Sequence, residues 1–372
     1  TFLLNTVEDL FGKGIQPYEL AYLAFTKKAA TEALTRAVDK FDYDDDQLIY
    51  FRTIHSLCYF WQGLTRSDIL DRKDLRAFSK LVGERINSAW DGENLMALNS
   101  VGDNMLFLEN MARNTCKTYR DSWNTAQSDI SWIHFDWFCS SYNNFKQTNF
   151  LMDYTDMLSG FMNFDTKPPL KALIVDEAQD LSALQWKCIH KLAQGLDHVY
   201  IAGDDDQAIY KWAGADTDHF INLAGNEIYL EQSYRVPKKV HDVALNIVKR
   251  IKKRRHKPWI PREEEGSVTY HNSYEHIDYS EGEWLFLARN NYLLNQVEEH
   301  LRTCGYFYTK NNKPSVTENL IRAILDWELL RKGESIEASR IKKIYGYMRA
   351  GKGVRTGFNR RRTKGVHYIL FA

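Results

Sequence analysis

The sequence predicts an α/β fold, a parallel sheet with helices on its faces, interrupted by a helical insertion. Three observations carry this expectation. Leu20–Phe25, Ala172–Val175 and Val199–Ala202 are short, continuous apolar runs of the kind buried on both faces of a sheet. The first is followed at once by a segment with Ala30, Ala33, Leu34, Ala37 and Val38 on one helical face, so strand and helix alternate. From about Phe60 to Phe150 the chain is helical in character, rich in Trp, Tyr and Phe, and poor in strand signals.

Along the chain, Leu3, Leu4, Val7, Leu10 and Phe11 repeat at helical spacing and Gly12 ends the helix. No N-cap is visible, so its beginning is expected upstream of Thr1. Thr26 is placed to cap the helix after the first strand. An acidic turn, Asp42 to Asp46, leads to Leu48–Phe51, which reads as a strand. After the insertion come Ala172–Val175, bounded by Pro168-Pro169, then Val199–Ala202, and a shorter strand near Ile228–Leu230. Pro237 starts a helix with Val240, Val243, Ala244, Ile247, Val248 and Ile251 on one stripe. The basic residues that follow (Lys249, Arg250, Lys252, Lys253, Arg254, Arg255, Lys257) read as a solvated face complementing the helix dipole. Pro258 and Pro261 mark a linker. A second βα series has Trp284–Ala288 as strand and Leu293, Leu294, Val297 and Leu301 on a helix that stops at Gly305. A strand-like Tyr368–Phe371 lies near the end.

The length of 372 residues calls for two or three domains. The expected division is 1–60 with 150–236, a helical subdomain at 61–149, and a linker helix opening a further domain at 237–372. Zero formal net charge removes any global electrostatic case for nucleic-acid binding, so such a site must be local. The five cysteines are scattered without a Cys-x-x-Cys pair, which points to a reducing, cytoplasmic setting and away from a disulfide framework or zinc site. No apolar run is long enough to cross a membrane.

Three segments carry chemistry. Asp176 and Glu177 follow a buried strand, where doubly wound sheets bind ligands. Asp176 is suited to hold magnesium through its waters and Glu177 to polarise a water against a γ-phosphate. The plain alternative is an acid-decorated helix start. The segment Gly203-Asp204-Asp205-Asp206-Gln207-Ala208-Ile209-Tyr210-Lys211-Trp212 is poor core material and belongs in a working loop. Gln207 suits a phosphate or the attacking water, and Tyr210 and Trp212 suit stacking on unpaired bases, unless both rings are simply buried. In Gln232-Ser233-Tyr234-Arg235 an Arg precedes a helix, suited to a phosphate, although alone it reads as a surface Arg.

Together these segments resemble the superfamily 1 DNA helicases of the UvrD/Rep type. Asp176-Glu177-Ala178-Gln179-Asp180 is similar to the family's Walker B box, Gly203–Asp216 to its third motif, and Gln232–Arg235 to its fourth. Ala24-Phe25-Thr26-Lys27-Lys28-Ala29-Ala30 and Thr53-Ile54-His55-Ser56-Leu57-Cys58 resemble its single-strand contact segments. Asp153-Tyr154-Thr155-Asp156-Met157-Leu158 resembles the acidic-aromatic segment before Walker B, and Leu287-Ala288-Arg289-Asn290 the start of a second motor domain.

The resemblance implies a RecA-like parallel sheet of the P-loop NTPase type and part of a second RecA-like domain. It implies ATP and Mg2+ as cofactors and single-stranded DNA, or a single/double-strand junction, as partner, within replication or repair. Asp176 would serve magnesium, Glu177 the catalytic water, Gln207 and Arg235 the γ-phosphate, and Tyr234 the adenine. Phe25, Thr26, Thr53, His55, Tyr210 and Trp212 would line the single-strand track, although His55 alone reads equally as a structural histidine. The family's Gly-x-Gly-Lys-Thr loop is expected just before Thr1, which would sit at or just after its end. The fifth and sixth motifs are expected beyond Ala372. Ala213 stands where the family often has Arg. Such a piece is expected not to hydrolyse ATP by itself. The rivals are a non-catalytic single-strand-binding module and the motor part of a helicase-nuclease.

Overall fold

The computed structural model describes residues 2–87, 100–126, 129–310 and 313–348. Thr1 and the run Tyr368–Phe371 lie outside the described residues. The chain divides into two compact units, 1–267 and 268–372.

The first unit opens with α1 (Phe2–Gly12), which buries Leu4, Val7 and Leu10 at the expected spacing. Then come β1 (Leu20–Ala24), α2 (Lys27–Phe41), β2 (Phe51–Thr53) and α3 (Ile54–Trp61). The insertion supplies α4 (Arg72–Val82), α5 (Val101–Asn114), α6 (Tyr119–Thr125) and α7 (Trp132–Thr148). The chain returns through α8 (Tyr154–Asn163), β3 (Ala172–Asp176), α9 (Ala183–Ala193), β4 (His198–Ile201), α10 (Thr217–Ile221) and α11 (Lys238–Val248).

The four strands form one parallel sheet in the order β2-β1-β3-β4. Alternation along the strands builds two cores. Leu20, Tyr22 and Ala24 of β1 pack with Ala172 and Ile174 of β3 against α1 and α2. Ala21 and Leu23 pack with Leu173 and Val175 against α3, α8 and α9. Each Leu, Ile or Val so buried contributes about 1.5–3 kcal/mol. This is the parallel α/β sheet that the apolar runs predict, RecA-like as the resemblance implies, except that β4 lies at the edge with Val199 exposed and Tyr200 and Ile201 half-buried, not covered on both faces.

The strand expected at 48–51 is displaced along the chain: β2 takes only Phe51 from that run. Phe51 N–H bonds back to the Leu48 carbonyl in a turn, and the ladder begins only at Phe51. Leu48 and Tyr50 are buried, and the Tyr50 carbonyl accepts the Tyr22 N–H (3.2 Å) where the pairing with β1 starts.

The insertion has its own core, in which Phe78 lies 5.1–5.4 Å, ring to ring, from Phe138, Tyr142 and Phe145. Its neck is closed by two backbone bonds, Leu70 N–H to the Met152 carbonyl (2.9 Å) and Met152 N–H to the Asp68 carbonyl (2.7 Å). A buried ion cluster ties it to α8. Arg113 donates to both Asp153 oxygens (3.1 and 2.5 Å), to Asp156 (2.8 Å) and to Glu109 (2.9 Å). Lys146 donates to Asp153 (2.7 Å) and Asp156 (2.6 Å). Asp153 is also the N-cap of α8, accepting from Asp156 N–H.

Two further expectations fail. Ile228, Tyr229 and Leu230 are exposed and outside any described strand; the nearest pairing is an isolated bridge, Gln232 to Ile260. The helix that Pro237 opens forms as expected, as α11, with Val243, Ala244 and Val248 of its stripe half-buried and Val240 and Ile247 exposed. In the second unit, Trp284, Leu285 and Leu287 are exposed and 284–288 is not a strand. An apolar run becomes a strand only where a neighbouring strand accepts its hydrogen bonds, and none of the described residues does. That unit holds α12 (Asn291–Thr303), a two-strand hairpin of β5 (Thr309–Lys310) and β6 (Lys313–Pro314), α13 (Glu318–Arg331) and α14 (Ala338–Tyr347). Its aromatic centre is Tyr279, within 5.1–6.0 Å of Trp284, Phe286 and Tyr306.

Candidate functional site

The ladder aligns Ala24 with both Thr53 and Asp176, so β1, β2 and β3 end at one carboxyl edge. Asp176 is half-buried there. Its Oδ1 accepts Glu177 N–H (3.0 Å) and its Oδ2 accepts the Tyr22 hydroxyl (2.9 Å). Burial first, and then the negative Asp176 beside it, push the Tyr22 phenol well above its ordinary range, so the hydroxyl stays a donor. Each carboxylate oxygen keeps acceptor capacity in a fixed orientation.

Glu177 takes the left-handed backbone conformation (φ 54°), uncommon for a residue with a side chain. It is exposed at the edge, and its Oε2 accepts Gln179 Nε2–H (2.7 Å). Gln179 is buried and its other end accepts Asp204 N–H (3.0 Å). Asp204 Oδ2 in turn accepts the Gln207 amide (2.6 Å). A continuous hydrogen-bonded chain therefore runs from Glu177 through Gln179 and Asp204 to Gln207. Gly203 allows the approach, because a Cβ there would stand 2.5 Å from Gln179 Oε1 and 3.2 Å from the Ala178 nitrogen. Asp180 is pushed up to about 6 by burial first and then by the Glu177 charge.

Phe25 lies 5.1 Å from Tyr210, ring to ring, and Tyr210 lies 6.2 Å from Trp212. Trp212 is 47% exposed, against the alternative that both rings are buried. Phe25, His55, Asp180 and Tyr210 share one depression. The His55 ring meets Tyr154 edge-on at 5.9 Å, and burial holds it down to about 4 against the opposing Asp153 charge, so it is neutral at pH 7. The Thr26 hydroxyl accepts Ala29 N–H (3.1 Å) and the Thr53 hydroxyl accepts Ser56 N–H (3.2 Å), capping α2 and α3. Both keep their own O–H to donate, beside helix N-termini that favour anions.

Tyr234 and Arg235 stand exposed ahead of α11; among the described residues neither is bonded to Asp176, Glu177 or Gln207. The basic run after α11 is not simply a solvated face. Arg254 makes two bonds to Asp206 (2.7 and 2.6 Å), and Lys257 reaches Asp204 (2.7 Å), Asp206 (3.1 Å) and Asp205. Helix-dipole reasoning looks only at the local helix end and misses acids some fifty positions upstream.

The family model described as UvrD/REP helicase N-terminal domain matches residues 1–227, which hold the acid edge, the Gly203 loop and the aromatic row. The chain belongs to this family. Proteins described as ATP-dependent DNA helicase PcrA, from Staphylococcus aureus and Staphylococcus epidermidis, are each 23% identical over 91% of this chain. The chain spans about half the length of these curated relatives, 48%. Sequence reasoning gave no role of their own to Tyr22 and Gln179, and read Arg254 and Lys257 as part of a solvated face. Tyr22 alone left a local signal, a phenol in an otherwise aliphatic strand interior.

Proposed function

We propose that this chain forms the core of an ATP-dependent DNA helicase or translocase that moves along single-stranded DNA. The observation that carries the reading is Glu177, exposed at the carboxyl edge beside Asp176 and held there by Gln179. Asp176 fits a magnesium ion: it is a carboxylate whose two bonds come from donors and whose remaining lone pairs are open to the edge. Magnesium, when bound with ATP, supplies neutralisation of the phosphate charge. Glu177 accepts a proton from the attacking water, and Gln179 fixes the direction in which it does so. Gln207 presents its amide from the neighbouring loop toward the same edge, with Asp204 setting its orientation. Arg235 and Tyr234, exposed and uncommitted to Asp176, Glu177 or Gln207, are suited to the γ-phosphate and the adenine. The second unit would hold part of a second RecA-like domain.

Phe25, Tyr210 and Trp212 form a stacking row for bases, and Thr26, Thr53 and His55 line the same track. Helix N-termini and capping hydroxyls bind backbone phosphates without reading sequence. The test is Glu177→Gln in the full-length protein. Removing a positioned base costs about 10²–10⁴ in rate, so hydrolysis should fall at least a hundredfold, by about that range's lower end, while labelled ATP still binds. Near-normal turnover would remove Glu177 from the mechanism.

A further inference from the structure

Three consecutive carboxylates, Asp204, Asp205 and Asp206, crowd a short turn whose first member anchors Gln207. Left alone, their mutual repulsion would splay the loop or drive proton uptake. The chain after α11 supplies the counter-charge. Arg254 grips Asp206 with two parallel bonds (2.7 and 2.6 Å). Lys257 sits among all three acids. Arg255 N–H donates to Asp205 Oδ2 (2.8 Å), while its guanidinium donates to the Ile221 and Leu223 carbonyls (2.7 and 2.6 Å). These are not surface pairs: the side chains of Arg254 and Lys257 are 16% and 19% exposed, and those of Asp205 and Asp206 2% and 10%. Burial opposes ionisation of Asp206, and the Arg254 and Lys257 bonds override it, holding its carboxyl below the usual range.

We propose that Arg254 and Lys257 are positioning residues that clamp the acid loop, so that Gln207 and, through Asp204 and Gln179, Glu177 keep their places for hydrolysis. Neither cation touches Asp176 or Glu177. Lys257 bonds Asp204 Oδ1 while Gln207 bonds Asp204 Oδ2, so one carboxylate links clamp and site. Asp204 N–H donates to the same Gln179 that donates to Glu177. Freeing Lys257 leaves Asp204 Oδ1 to the Asp206 N–H (3.1 Å), on a turn whose carboxylates have lost a shared cation, and both ends of that chain loosen with it. The inference rests on the ATPase reading above, and a measurement independent of activity separates the two.

The experiment compares the full-length protein with Lys257→Met, Lys257→Arg and the charge swap Arg254→Asp with Asp206→Arg. It reads kcat and KM for magnesium-ATP, amide hydrogen exchange across 203–210, and thermal stability. Small misplacements of a positioned group cost about ten- to a hundredfold in rate, so Lys257→Met should lose that much kcat with KM retained. Exchange should rise in 203–210 but not in β3 or α9. Lys257→Arg should regain most of the rate, and the swap should outperform either of its single changes. Unchanged exchange in 203–210 overturns the clamp. So does lost stability with kcat intact, or a rate loss that Lys257→Arg does not relieve. If the unaltered protein hydrolyses no ATP, the ATPase reading fails by itself, and the exchange data still decide whether the clamp exists.

Discussion

Replacing Arg113 by Met should destabilise the first unit severely and in a pH-dependent way. The guanidinium bonds Glu109, Asp153 and Asp156 at once. Its loss leaves these acids with Lys146, which reaches only Asp153 and Asp156, and leaves Glu109, which has no exposed surface, with the Tyr119 hydroxyl (3.1 Å) but no bonded cation. Breaking a buried pair by removing one partner costs about 3–5 kcal/mol, a large part of a total stability of about 5–15 kcal/mol. The pH dependence follows from the same cluster. Burial opposes ionisation of Asp153, but Arg113 and Lys146 hold its carboxyl far below its ordinary value. In the unaltered protein that stabilisation is full above the ordinary carboxylate pKa and is lost only as pH falls below it, so pH 7 and pH 5 should not differ on this account. In the variant the stranded carboxyls bind protons more tightly folded than unfolded, and the deficit should shrink from pH 7 to pH 5. Urea unfolding followed by circular dichroism at the two pH values measures this. A deficit below about 1 kcal/mol, the range of exposed pairs, or one equal at both pH values, would refute the buried-cluster account.

Trp212→Ala should weaken single-strand binding by about 1–3 kcal/mol, the value of one stacked base, with little sequence preference, as read by anisotropy of a labelled oligonucleotide at fixed salt. Loss of folding stability with affinity intact would return Trp212 to a packing role. His55 is held down to about 4 by burial, so its contribution to stability is present above pH 6.5 and is lost as pH falls from there through 4. That window is worth about 3 kcal/mol. His55→Gln should flatten the urea midpoint across it, and a ring titration near or above 6.5 by NMR would show the opposite.

What the sequence made legible was what neighbouring residues determine together. Thr26 precedes a helical face and caps it. Ala172–Val175 is apolar throughout and lies buried in the sheet. Asp176 and Glu177 follow that strand and therefore stand at its edge. What stayed hidden depends on partners remote in the chain. The Tyr22 hydroxyl meets Asp176 only because β1 and β3 pair in the register that sets Ala24 opposite Asp176. Lys257 meets Asp204 only because the segment after α11 folds back onto the Gly203 loop. Ile228–Leu230 and Trp284–Ala288 misled because hydrophobicity signals a need for cover, whereas a strand also needs a ladder partner.

The two bonds at residues 68–70 and 152 have a topological consequence. Residues 70–151 form a detour whose start and finish are already stitched together beneath it, so the sheet experiences the insertion as though it were a tight turn. Doubling the length of a flexible closed loop adds only about 0.6 kcal/mol of closure entropy, and here the stitch bears that cost locally. The detour can thus lengthen, shorten or exchange its helices over generations while β1 and β3 remain in register. The constraint on such drift is the pair of cations, Arg113 and Lys146, that it must deliver to the first turn of α8.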